Sequence, residues 1–117
     1  MKVLVGIPLD VHIGMELLSW AITEASHRDD TVVALHVLDG KGETRPSSTT
    51  ANLTMRRTKA FVISLLGEFA EISNTKEVSL EAKVVQSPSV GGGLVEEAAS
   101  LKATYLVIGG SRNPSQR

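Results

Sequence analysis

Three short stretches carry residue types that could meet a ligand: Pro8-Leu9-Asp10, Leu38-Asp39-Gly40 and Gly109-Gly110-Ser111. Asp10 can accept hydrogen bonds from a ribose-type hydroxyl, or it can cap the start of a helix. Gly109 and Gly110 leave backbone N–H groups open to an approaching phosphate, or they simply make a turn. Gly91-Gly92-Gly93 stands where a helix should begin. Each Gly there costs roughly 0.5 to 1 kcal/mol relative to Ala. An anion nest would account for the run, and so would a loose first turn or close helix–strand packing. Neither G-x-x-x-x-G-K-[S/T] nor G-x-G-x-x-G occurs.

The remaining polar residues suggest no catalysis. His12, His27 and His36 lack metal-ligand spacing. His12 follows Asp10 in the same loop and is the better histidine for touching a bound molecule. His36 sits inside an apolar strand and reads as a satisfied core or strand-end residue. No serine lies in a G-x-S-x-G elbow. Arg56-Arg57-x-Lys59 reads as a solvated helix face. A Gly-rich loop with its strand lysine, the full H-R-D-L-x-x-x-N loop and D-F-G are all missing, so these residues are not themselves a kinase.

Candidate ligand residues need elements to hold them. Lys2–Ile7 is short, apolar and β-branched, as a strand covered on both faces should be, and Pro8 ends it. Ile13–His27 changes to helical period, with Leu17, Leu18, Ala21, Ile22 and Ala25 on one stripe and Trp20 beside it. Thr31–Leu38 is a second buried strand. Asp39–Thr50 reads as a loop rich in turn residues. Ala51–Ser73 reads as one long helix, with Phe61, Leu65 and Phe69 in a row, Ile72 adjacent, and Thr49, Thr50 or Asn52 as cap. Glu77–Val85 alternates with period two, which places it at a sheet edge with one wet face. A third helix carries Val90, Leu94, Val95, Ala98 and Leu101, and Tyr105–Ile108 is a fourth apolar strand. The order β-α-β-α-β-α-β demands a parallel sheet with helices on both faces.

Composition narrows the functional classes. The chain has 117 residues, with 12 Lys and Arg against 13 Asp and Glu. That near-neutral balance removes the electrostatic basis for a nucleic-acid binder. Without Cys there is neither a disulfide framework nor a thiolate site. No apolar run approaches the ~18 to 20 residues that span a bilayer, so the expected setting is cytoplasmic, away from a membrane.

Four blocks together resemble the universal stress protein family. They are Lys2–Pro8 with Asp10, Leu18-x-Trp20-Ala21, Val33–Asp39 and Tyr105–Gly109. Within that family, residues 17–22, 32–39 and 108–113 are similar to the N-terminal segment of plant receptor-like cytoplasmic kinases. The resemblance implies a three-layer, doubly wound sheet of the adenine-nucleotide α-hydrolase-like type, with strand order 3-2-1-4 here and the family's fifth strand absent. It implies that Asp10 contacts a nucleotide and that Val37 lies against adenine.

The family's phosphate motif, G-x2-G-x9-G-[S/T], is broken in this chain. Gly109 or Gly110 can supply the first glycine, but Arg112 or Asn113 stands at the second, and the chain ends before the third. The expectation is therefore one C-terminally truncated domain that is non-catalytic, regulatory or interaction-making, and attached to a protein kinase acting in stress or signalling. Self-association or a partner strand is expected along Leu106–Ile108. The alternative is an ATP or AMP binder using Pro8, Leu9, Asp10, Val37, Gly109, Gly110 and Ser111. No catalytic residue, metal ligand or firm cofactor is expected.

Overall fold

A computed structural model describes residues 1–39 and 48–109. The order is β1 (Lys2–Gly6), α1 (Val11–Trp20), a π-helical turn (Ala21–Ala25), β2 (Thr31–Asp39), α2 (Ser48–Gly67), α3 (Ala70–Lys76), β3 (Ser79–Ser87), α4 (Val90–Leu101) and β4 (Tyr105–Val107). The four strands form one sheet in the order β3-β2-β1-β4. All three pairings are parallel, with Val3 opposite Val32 and Tyr105, and Val32 opposite Leu80.

Strand alternation builds two cores. Val3, Val5 and Ile7 face one side, against Leu18, Ala21 and Ile22 and against Val62, Leu65 and Leu66 of α2. Leu4, Val33, Leu35 and Val37 face the other, against Leu94 of α4. Each such side chain stabilises the fold by about 1.5–3 kcal/mol on burial. The layering follows from handedness. The chain steps from β1 to β2 to β3 in one direction and then returns past β1 to β4. Right-handed crossovers then put α4 on the face opposite α1 and α2, and the reversal opens a crevice between the carboxyl ends of β1 and β4.

Several boundaries differ from the sequence expectation. The first helix starts at Val11 and ends in the π-turn, whose loose carbonyls are collected by Lys76. Its Nζ lies 2.7 Å from Ile22 O, 3.1 Å from Thr23 O and 3.3 Å from Ser26 O. Trp20 falls outside the apolar stripe and is exposed. Both ends of the expected Asp39–Thr50 loop belong to regular elements, because β2 runs through Asp39 and α2 begins at Ser48, and residues 40–47 lie outside the described residues. Thr49, Thr50 and Asn52 accordingly lie inside α2, not before it.

The long second helix is two helices. Glu68 N–H and Phe69 N–H bond back three residues, to Leu65 O and Leu66 O, which tightens the end of α2 before α3 starts. The phase shift keeps Phe69 against the core and turns Ile72 outward, while Ser73 is buried. β3 is at the edge as expected, but its outer face is not bare. α4 lies over it, Val85 packs on the Leu94 core, and Lys83 Nζ sits 2.8 Å from Glu97 Oε1 at an angle outside hydrogen-bond geometry.

Candidate functional site

A cleft of about 550 Å³ opens at the carboxyl ends of β1, β2 and β4. That volume suits a small organic molecule. Its walls include Pro8 and Leu9 after β1, Val37 on β2, Val90 and Leu94 on α4, and Ile108 and Gly109 after β4. Four of the seven residues singled out from sequence thus meet in one place: Pro8, Leu9, Val37 and Gly109. Gly110 and Ser111 lie outside the described residues, as does Gly40.

Asp10 stands beside this wall but does not line it. Its Oδ1 accepts the Ile13 N–H at 3.1 Å, so the carboxylate caps α1. The glycine run divides in the same way. A Cβ on Gly93 would come within 2.8 Å of Val37 Cγ1 and 3.0 Å of Ser87 Cβ, so close packing requires glycine there. Gly91 faces open space, and Gly92 donates its N–H to Ser89 Oγ, the α4 cap, at 2.9 Å.

His36 is the satisfied strand-end histidine expected from sequence, and it also lies in the cleft. His12 is exposed on α1 and is not among the lining residues, whereas His36 lines the cleft. His36 Nδ1 is 2.6 Å from Ile7 O. Only donation from Nδ1–H satisfies a carbonyl, so this ring nitrogen carries the proton. The imidazole takes that carbonyl where the β1 ladder runs out at Pro8. Spacing alone could not reveal this, because the partners are 29 residues apart.

A second groove of about 620 Å³ runs along the outer side of β4. Trp20, Glu24 and His27 form one wall, and Tyr105, Leu106 and Ile108 the other. These β4-side residues are 51%, 37% and 54% exposed, as on an uncovered edge. Among the described residues no cluster of His, Asp or Glu could hold a metal ion, and no helix is long and apolar enough to cross a membrane.

The four parallel strands in the order 3-2-1-4, their flanking helices and the crevice at their carboxyl ends define a doubly wound α/β domain, and the expected similarity to plant receptor-like kinases holds over most of the chain. The chain is 44% identical over 108 residues to a probable receptor-like serine/threonine-protein kinase of Arabidopsis thaliana. It is 32% identical over 107 residues to protein kinase STUNTED of the same plant. Each alignment takes in 92% of this chain but only 19% and 15% of the respective kinase, so the chain spans less than a fifth of the relatives it matches. Among solved structures, protein Rv1636 of Mycobacterium tuberculosis shares the fold, with a TM-score of 0.57 at 16% identity over 94% of this chain and 71% of that one. No family model matches the chain.

Proposed function

We propose that this chain is a non-catalytic regulatory domain of a cytoplasmic plant protein kinase involved in stress or signalling. The observation that carries this reading is the lopsided coverage: nearly all of this chain aligns, at 44% identity, to a small part of a kinase. Among the described residues no acid–base pair or activated nucleophile is brought together. Among the described residues no strand pairs with the outer side of β4, which supports an interaction role, because an unpaired parallel strand is a template for a partner strand or a second copy. The test compares phosphotransfer by the longer kinase with and without this domain, alongside the isolated chain. Deletion should change the kinase rate, and the isolated chain should transfer no phosphate above a no-protein control. Turnover by the isolated chain, or an unchanged kinase rate, would overturn the reading. Light scattering on the chain checks self-association, and a strictly monomeric profile at high concentration counts against the homodimer.

The convergence of Pro8, Leu9, Val37 and Gly109 on one cleft favours a second reading, in which the domain binds an adenine nucleotide or nucleoside. Calorimetric titration with ATP and Mg²⁺, and separately with adenosine, decides it. Absence of heat at millimolar ligand for both removes the nucleotide reading.

A further inference from the structure

We infer that His36 is the polar recognition residue of the cleft, and that its Nε2 accepts a hydrogen bond from an N–H or O–H donor on an uncharged, flat heteroaromatic ligand. The inference rests on the second reading above and adds to it the atom that confers specificity. Ile7 O fixes the ring: Nδ1 must donate to it at 2.6 Å, so in the neutral imidazole Nε2 keeps its lone pair. This same hydrogen bond anchors the ring to the end of β1, and an acceptor held in place forms a new bond with less ordering cost than a mobile one. His36 is half-buried and lines the cleft.

The rest of the described wall sets the ligand class. Pro8, Leu9, Val37, Val90, Leu94 and Ile108 offer apolar surface that suits a planar ring, and none of the described lining residues is charged. An apolar slot with one oriented polar atom is how small-molecule sites combine affinity with orientation. A site built to pair one donor rejects ligands that lack it, because the buried acceptor would then go unmatched.

Two substitutions separate the two nitrogens of the ring. His36→Asn places an amide N–H near the Nδ1 position, so it keeps the bond to Ile7 O and removes Nε2. His36→Gln reaches toward the Nε2 position and gives up the Ile7 bond. Adenosine is the probe, titrated by calorimetry, with thermal melting of each variant as the folding control. In the free protein, nitrogen-detected NMR should show the Nδ1–H tautomer, and adenosine should move the Nε2 resonance. His36→Asn should melt within a few degrees of the parent and bind adenosine about fivefold or more weakly. His36→Gln should melt lower and retain the larger share of the binding. An Nε2–H tautomer in the free protein overturns the inference, and so does a folded His36→Asn that binds adenosine as tightly as the parent. If the parent binds neither adenosine nor ATP, the nucleotide reading falls and takes the inference with it. If the parent binds but the substitutions have no effect, only the inference falls.

Discussion

At the amino ends of the strands, polar groups are matched to partners across the chain. The Asp30 carboxylate accepts the His27 N–H at 2.8 Å and lies 3.4 Å from the Met1 ammonium. Asp30 O takes the Ser79 N–H, and Met1 O takes the Thr31 N–H. Lys76 gathers three carbonyls of the π-turn. At the carboxyl ends the arrangement is the opposite: an apolar cleft, a proline without a donor, glycines, and one imidazole held by Ile7 O. One end ties the sheet together, and the other forms an apolar cleft. Substitutions at the first should therefore register in stability, and substitutions at the second in binding.

The largest break should come from Asp30→Ala. It removes the buried carboxylate that accepts the His27 N–H, and losing a charged acceptor of this kind costs about 2–3 kcal/mol. The pH dependence identifies the cause. Burial alone would raise the Asp30 carboxyl, but the His27 N–H and the Met1 ammonium outweigh it and hold the group below its ordinary 3.8. A carboxyl depressed in the folded state stabilises at pH above its unfolded value, and that contribution fades as pH falls through the folded one. The gap between the parent and Asp30→Ala in urea melts should thus be full at neutral pH and shrink below about pH 3.8. A gap that stays constant down to pH 2 would mean the carboxylate charge is not what matters.

Lys76→Met should come next, at about 2 kcal/mol. It keeps most of the aliphatic stem and takes the ammonium from three carbonyls, of which Ile22 O keeps the Ser26 Oγ–H. Hydrogen exchange of the amides around Ala21–Ser26 should speed up while those of β1 do not, which a uniform loss of stability could not produce.

How much could be read in advance divides along the same line. β1 and β2 were legible because strands apolar on both faces have few other homes, and the β-α alternation then forces the parallel order. The edge position of β3 was legible from its period of two. What escaped notice depends on contacts across the sequence. Lys76 is 54 residues from Ile22, and Ile7 is 29 from His36, so neither partnership leaves a local pattern. The break between α2 and α3 escaped because Phe61, Leu65 and Phe69 keep their spacing through it. Asp10 was legible as a helix cap, which the structure bears out, but not in any further use, since a cap and a ligand contact call for the same side chain.

Asp10 therefore sharpens the comparison, with a smaller effect. Asp10→Ala should cost about 1 kcal/mol as a lost cap. Asp10→Ser retains a capping oxygen and should melt close to the parent. Any adenosine or ATP affinity lost in Asp10→Ser would then belong to the carboxylate and not to a frayed α1. Equal affinity in the parent and Asp10→Ser would leave Asp10 as a helix cap alone.

The smallest effect tests whether every contact at the amino end matters. Arg28 Nε sits 2.8 Å from Glu77 Oε1, but the two side chains are 73% and 54% exposed. Such a pair contributes roughly 0 to 0.5 kcal/mol, because water screens it and two long chains must be held still. Glu77 also has φ of 60°, the left-handed conformation that closes α3, and a residue with a Cβ is strained there by about 1 kcal/mol. The strain outweighs the pair. Glu77→Gly should therefore raise stability by about 0.5 kcal/mol despite losing the ion pair. Arg28→Ala, which removes the pair and leaves the strain, should lower stability by less than about 0.5 kcal/mol, and less still at high salt. If Glu77→Gly melts below Arg28→Ala, the pair counts for more than its exposure allows, and the amino end is held by its surface as well as by its buried carboxylate.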